Sequence, residues 1–292
     1  MEITSILKEK KNFTYIETLI SDYLLEKQED IANQSARSIA SKLNTAPSSL
    51  TRFVQKIGFA GFTEFKTAYL KELDYLASHF NEINPNYPFD YNDKNVVVAN
   101  KMGQLYQETI KDQLNLIHHD SLQLAINILQ KARTVYVCSA GVQIDVARTF
   151  KEKMVKIGKD VVIEDKLDDA FSRASFCLGD CAFILISYSG ETDQLLRIAA
   201  KLKGRQVKTV ALTSYGSNSL ASMADVSLYV SSREKLIENL GDFSMNLSTL
   251  FMLDVLYMNI FNDDYQTNYS KKVASSKGFQ KNRTTKNPLL QD

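Results

Sequence analysis

Between Phe13 and Ile31 the residues Phe13, Ile16, Leu19, Ile20, Tyr23, Leu24 and Ile31 recur at helical spacing, which predicts an amphipathic helix. Ser35 then precedes Ala36–Leu43, where Ile39, Ala40 and Leu43 share one face, so Ser35 is the expected N-cap. Asn44-Thr45-Ala46 breaks the pattern as a turn, and Pro47 suits the first position of the helix that follows. That helix buries Leu50, Phe53, Val54 and Ile57 and stops at Gly58. Two short helices joined by a three-residue turn form a helix-turn-helix, although Ala46 is a poor cap for the second. Glu64–Ala77 continues as a helix.

The period then disappears. His79–Asp93 contains Pro85, Pro88 and several Asn and Asp residues, and reads as a linker. Helical spacing returns over Val96–Ile117 and Ser121–Gln130. Beyond these, short apolar runs at 134–138, 160–164, 182–187, 207–213 and 226–230 alternate with helical stretches near 142–157, 168–177, 192–203 and 218–223. That rhythm predicts a five-stranded parallel sheet covered on both faces. Leu247–Phe261 is a last amphipathic helix, and 262–292, rich in Lys, Asn, Ser and Thr, is expected to be disordered. The fold class is therefore α + α/β. An all-α domain at 1–78 and a linker at 79–98 precede a three-layer αβα domain at 99–261 and a tail at 262–292. The sequence contains no internal repeat.

Composition narrows the function classes. The 292 residues are 44% hydrophobic and 24% charged, ordinary values for a soluble globular chain with one or two cores. A net charge of +1 gives no global attraction to nucleic acid or membrane, so any such attraction is local. No apolar run approaches the roughly 20 residues that span a bilayer, and Met1-Glu2-Ile3-Thr4 begins no signal peptide. A cytoplasmic protein without membrane partners is expected. Cys138, Cys177 and Cys181 lie in apolar surroundings and read as reduced core residues. His118-His119 read as surface or packing residues. With no zinc-like spacing among Cys and His, neither a metal nor a cofactor is expected.

Local charge does change the picture. From Ser35 to Lys71 six basic residues (Arg37, Lys42, Arg52, Lys56, Lys66, Lys71) face one acid, Glu64, a local +5; residues 1–34 hold four basic and seven acidic residues, a local −3. The basic side coincides with the second helix of the pair. Its outward face offers Pro47, Ser48, Ser49 and Thr51 near the start, and Arg52 and Lys56 farther along. Small hydroxyls for base edges and cations for phosphates are what a DNA reader needs, with Arg37 on the preceding helix.

A second cluster follows the most apolar run. Phe183-Ile184-Leu185-Ile186 switches abruptly to Ser187-Tyr188-Ser189-Gly190-Glu191-Thr192, and then to helical spacing from Gln194. A buried strand, a polar turn and a helix place the turn where α/β sheets bind ligands. Ser187, Ser189 and Thr192 supply hydroxyls, Gly190 allows close backbone approach, and the helix supplies free N–H groups and a positive dipole end. Such an anion cradle suits a phosphate monoester; the plainer alternative is a Ser/Thr helix cap.

Ser187-x-Ser189-Gly190-x-Thr192 resembles the S-x-S-G-x-T signature of the sugar isomerase (SIS) domain. Val135-Tyr136-Val137 before Gly141, Ala211-Leu212-Thr213-Ser214 and Leu220–Val226 follow in register. Ser38-Ile39-Ala40, Leu50-Thr51-Arg52-Phe53 and Ile57-Gly58-Phe59-x-Gly61-Phe62 resemble the N-terminal domain of MurR/RpiR-type transcriptional regulators. That family joins a helix-turn-helix to a SIS domain in this order. The resemblance implies a homo-oligomer, dimer or tetramer, that binds operator double-stranded DNA and is controlled by a phosphorylated sugar. SIS domains usually carry G-x-G-x-S after the first strand, where this chain has Ser139-Ala140-Gly141-Val142-Gln143; the phosphate side is kept and the sugar-facing wall is altered at Ser139 and Gln143. Two alternatives stand beside the regulator. One is an SIS-type isomerase or lyase using Glu191, Glu234 or Glu238 as base, and the other a DNA-binding protein whose SIS domain only dimerises.

Overall fold

The computed structural model describes residues 3–77, 83–177, 179–279, 284, 287 and 289. The chain divides into two compact units, Met1–Glu82 and Ile83–Asp292.

The first unit is all helical. It consists of α1 (Ile3–Glu9), α2 (Tyr15–Lys27), a 3-10 turn (Gln28–Asn33), α3 (Ala36–Lys42), α4 (Pro47–Lys56) and α5 (Phe62–Ala77). Ile20, Leu24, Ile39, Leu50, Phe53, Val54, Phe65 and Tyr69 form its core, so the predicted apolar faces do meet. Ser35 caps α3, its hydroxyl accepting Ser38 N–H at 3.1 Å. Ala46 leaves α4 without a side-chain cap. Gly58, with φ +103°, closes α4 in a conformation that side-chain-bearing residues avoid. One local reading needs correction. The single helix expected over 13–31 breaks at Gln28, and α1 has no strong period of its own. Glu72 instead starts α1 by accepting the Ile3 and Thr4 N–H groups, each at 2.6 Å.

The second unit holds α6 (Asn95–Asn115), α7 (His119–Lys131), β1 (Thr134–Ser139), α8 (Gln143–Lys156), β2 (Asp160–Glu164), α9 (Leu167–Phe176) and β3 (Cys181–Ile186). It continues with α10 (Asp193–Gly204), β4 (Lys208–Ser214), α11 (Ser219–Met223), β5 (Val226–Val230), α12 (Phe243–Asp263) and α13 (Tyr265–Phe279). All strand pairs are parallel, in the order β2-β1-β3-β4-β5. Ala182, Ile184 and Ile186 of β3 pack with α7, α8 and α12, while Phe183 and Leu185 pack with α9, α10 and α11. This is the expected three-layer αβα architecture.

Three expectations about this half change. Residues 83–94 are not a free linker: Asn86 accepts Lys235 N–H at 2.7 Å and Arg233 holds the Ile83 carbonyl at 3.0 Å. Residues 79–82 of the expected linker lie outside the described residues. The tail is not disordered throughout. Tyr265–Phe279 is helical, with buried Asn268 donating to the Ile260 and Phe261 carbonyls and Tyr265 packed edge-on against Phe261. Finally, Cys177 and Cys181 form a disulfide across the turn from α9 to β3, with Cα atoms 6.8 Å apart, while Cys138 is free and buried. The turn brings the two into bonding range, which their spacing alone does not reveal. No helix among the described residues is long and apolar enough to cross a membrane.

Candidate functional site

The sheet order places the first cluster. In the order 2-1-3-4-5 the connections leave β1 and β3 toward opposite layers, and the crevice at the carboxyl ends of these two strands is where such sheets take ligands. Ser139 ends β1 opposite Ile186, so Ser139 and Ser187, the residue after Ile186, both lie at this edge.

Two constraints shape the turn after β3. Gly190 has a left-handed φ of +68°, and a β-carbon there would stand 2.1 Å from Asn218 Oδ1. Asn218 cannot easily yield, because that oxygen caps α11 by accepting Ala221 N–H at 2.9 Å. Leu220 N–H also donates to the Gly190 carbonyl, and Ser187 and Tyr188 are tied to β4 through the Leu212 carbonyl and Ser214 N–H.

Inside the turn the hydroxyls and amides satisfy one another. Ser187 Oγ lies 2.9 Å from Thr192 Oγ1 and accepts Gly190 N–H at 3.1 Å; Ser189 Oγ accepts Glu191 N–H at 3.1 Å. Thr192 is the N-cap residue of α10, yet no side chain caps that helix. An oxyanion can therefore take over these donors at the positive end of α10. Ser187 and Gly190 are buried, while Ser189 and Thr192 remain half-buried.

At the end of β1, Ser139 Oγ is buried with no hydrogen-bond partner among the described residues. Gln143 is buried too, and its amide donates to Asn246 Oδ1 on α12 at 3.3 Å. Of the three carboxylates considered as a base, Glu191 accepts Ser219 N–H at 2.8 Å and exposed Glu238 pairs with Lys235 at 2.6 Å. Glu191 belongs to the turn itself, and Glu234 meets it from outside, its main chain bound by the Tyr188 hydroxyl. Burial pushes the Glu234 carboxyl above the ordinary range, with Asp242 adding to that; the N–H groups of Met245, Ser244 and Phe243 pull the other way. Tyr188 and Asn218 are contributors that the sequence reading passed over. The first is the variable position of the motif, and the second is remote from it in sequence.

The second cluster lies on α4. Pro47, Ser48 and Arg52 are exposed and Ser49 and Thr51 are half-buried, while Leu50, Phe53 and Val54 anchor the opposite face. Arg37 is exposed on α3. Neither Arg37 nor Arg52 has a carboxylate partner among the described residues, whereas Lys56 does. Its ammonium donates to the Asn12 carbonyl and to Glu17 Oε2, each at 2.7 Å, and lies over the Phe13 ring. Burial alone would raise the Glu17 carboxyl, but Lys56 and the Thr14 amide and hydroxyl hold it below the ordinary range. Lys66 likewise donates to the Ala32 and Gln34 carbonyls. The basic run is thus partly consumed internally: Lys56 is neutralised by Glu17, Lys66 is held by carbonyls and Lys42 by the Gln34 amide oxygen, while the Arg37 and Arg52 side chains stay exposed.

Comparison with known proteins agrees with both halves. The helix-turn-helix domain of the rpiR family matches residues 2–75, and the SIS domain matches residues 128–259. The chain belongs to the RpiR-type helix-turn-helix transcriptional regulators that carry a SIS domain. Among its relatives, the uncharacterized HTH-type transcriptional regulator YbbH of Bacillus subtilis is 25% identical over 86% of this chain and 87% of its own. A second, CPE0189 of Clostridium perfringens, is 24% identical over 90% of this chain and 93% of its own. The fold matches that of the Vibrio vulnificus NanR protein complexed with ManNAc-6P, with a TM-score of 0.62, 18% identity and coverage of 97% and 99% of the two chains. The sugar isomerase domain of an RpiR transcription factor from Sphaerobacter thermophilus aligns with a TM-score of 0.53 at 15% identity, covering 61% of this chain and 98% of that one.

Proposed function

We propose that this RpiR-type regulator reads its operator through α4 and is controlled by a phosphorylated sugar whose phosphate sits in the Ser187–Thr192 turn. One observation carries the reading. The turn's hydroxyls and amides converge on an uncapped helix start at the β1/β3 crevice, with no Lys or Arg needed to hold an oxyanion. NanR, whose fold this chain shares, is a sugar-phosphate complex, which supports the assignment. In it, Ser187, Ser189, Gly190 and Thr192 hold the phosphate, while Ser139 and Gln143 face the sugar.

On the DNA side, Ser48, Ser49 and Thr51 approach base edges beside Pro47, and Arg37 and Arg52 meet phosphates. Lys56 contributes once Glu17 releases it. A homodimer in the cytoplasm would set two α4 helices in successive major grooves of an imperfect palindrome. The sugar phosphate acts only through its differential affinity for the arrangements of that dimer. The protein performs no catalysis in this reading. Glu191 in the turn and Glu234 beside it are the features favouring an isomerase, and turnover of a sugar phosphate by pure protein would establish that reading instead.

The test is a thermal-shift screen of the full chain against hexose 6-phosphates and pentose 5-phosphates, followed by retardation of the promoter fragment with and without each binder. A ligand present at 100 times its Kd adds about 2.7 kcal/mol of apparent stability. A sugar phosphate that raises the melting temperature and changes operator affinity supports the proposal. Operator binding with no response to any sugar phosphate leaves a SIS domain that only dimerises.

A further inference from the structure

Tyr188 lies between the two serines of the turn, but its hydroxyl leaves the turn. It donates to the Glu234 carbonyl at 2.8 Å and accepts Glu234 N–H at 3.2 Å, so both main-chain groups of one residue grip it. The segment it holds, Arg233–Leu240, also holds the residues with which the second unit begins. Arg233 donates to the Ile83 carbonyl and to Glu108 Oε2, each at 3.0 Å. Lys235 N–H donates to Asn86 Oδ1 at 2.7 Å, and Leu240 N–H donates to the Asn86 carbonyl at 3.1 Å. The Arg233 and Glu108 side chains are only 6% and 12% exposed, so this end is enclosed rather than a loose surface contact. Ile83 is also where the chain arrives from the helix-turn-helix unit.

We propose that Tyr188 is a positioning residue that transmits occupancy of the turn to the Ile83–Asn86 segment, and through it to the DNA-binding unit; this rests on the phosphate reading above. The Gly190 and Glu191 amides now donate to Ser187 Oγ and Ser189 Oγ. A phosphate that takes those amides frees both serine hydroxyls to donate to it, so the two side chains rotate and the loop around Tyr188 re-forms. A tyrosine hydroxyl held at two points cannot slide freely, so Arg233–Leu240 follows it and the hold on Ile83 and Asn86 changes. Glu234 makes the segment respond as a body, because its Oε2 accepts Met245 N–H at 2.8 Å and ties it to the start of α12. Coupling of this kind requires the ligand to favour one arrangement of the segment over another.

Hydrogen exchange of the full chain, with and without hexose 6-phosphates, pentose 5-phosphates and inorganic phosphate, tests this directly. In the wild type a binding sugar phosphate is expected to change exchange at 187–196, at 233–240 and at 83–94. Tyr188→Phe, which removes only the hydroxyl that leaves the turn, is expected still to bind the ligand and to keep the change at 187–196 while losing the other two. Asn86→Ala, at the far end and outside the turn, removes one of the three bonds that hold this segment and is expected to keep the changes at 187–196 and 233–240 and to diminish only that at 83–94. Tyr188→Phe responding everywhere like wild type overturns the relay and leaves the phosphate reading standing. Tyr188→Phe failing to bind the sugar phosphate also overturns it, by making Tyr188 a ligand contact. A wild type whose 187–196 amides ignore every sugar phosphate sinks the phosphate reading itself, and the relay with it.

Discussion

Gly190→Ala is the sharpest probe of the turn, because two independent costs fall on one added methyl group. The first is conformational: at φ +68° a β-carbon meets the following carbonyl, which costs about 1–2 kcal/mol. The second is steric. The added carbon would lie 2.1 Å from Oδ1, 2.2 Å from Cγ and 2.7 Å from Cβ of Asn218, so that side chain must leave. Its departure removes the cap from α11, worth about 1 kcal/mol. The expected loss is about 3 kcal/mol in the SIS unit, or roughly 6–12 °C for a unit of its size. Calorimetry is the suitable assay, since two units can melt separately and a single midpoint would blur them. The helix-turn-helix transition should stay in place as an internal control. All three clashing atoms belong to the Asn218 side chain, so adding Asn218→Gly removes the clash while the conformational cost stays, and the double variant should lose less than the two single variants added together. That non-additivity is the signature of direct contact. A single Gly190→Ala variant melting within about 2 °C of wild type would refute the turn geometry, since less than 1 kcal/mol would then be at stake.

Four further outcomes are expected. Arg52→Ala should weaken operator binding about equally across sequences and reduce the salt slope by about 1 in a retardation assay, with an unchanged circular dichroism spectrum, because the side chain is exposed and holds nothing in place. Ser189→Ala with Thr192→Ala should abolish the thermal stabilisation given by a binding sugar phosphate; a wild-type response would misplace the cradle. Glu72→Ala should destabilise the helix-turn-helix unit by about 2–3 kcal/mol in urea titration, since it removes two charge-assisted bonds to buried amides. Glu234 titrates above its ordinary value, so it holds its proton more firmly when folded. Its contribution to stability is full below the ordinary glutamate range and is lost as pH rises through the raised value. Glu234→Gln should therefore gain on wild type in urea midpoint as pH rises above the ordinary glutamate value of about 4.3.

The motif after β3 was readable because a strand, a turn and a helix start are contiguous, and local chemistry decides each of them. The strand rhythm was readable for the same reason, since β2 and β5 fall where the apolar runs put them. Segments whose support comes from afar were not readable. α1 depends on Glu72, nearly 70 residues on, and α13 on Asn268 reaching back to the last carbonyls of α12. The Asn86–Lys235 and Arg233–Ile83 bonds, which turn an expected linker into a fixed segment, join residues about 150 apart.

Sequence alone thus determined the two kinds of fold, the order of the strands along the chain and the residue types at both candidate sites, because periodicity and turn chemistry act within a few residues. Tertiary structure decided which of those residues are available. It tied Lys56 and Lys66 to neighbours, left Arg37 and Arg52 exposed, set Asn218 against Gly190 and brought Glu234 to Tyr188. Hydrogen bonds and steric contacts depend on distance in space, and separation along the chain does not fix that distance.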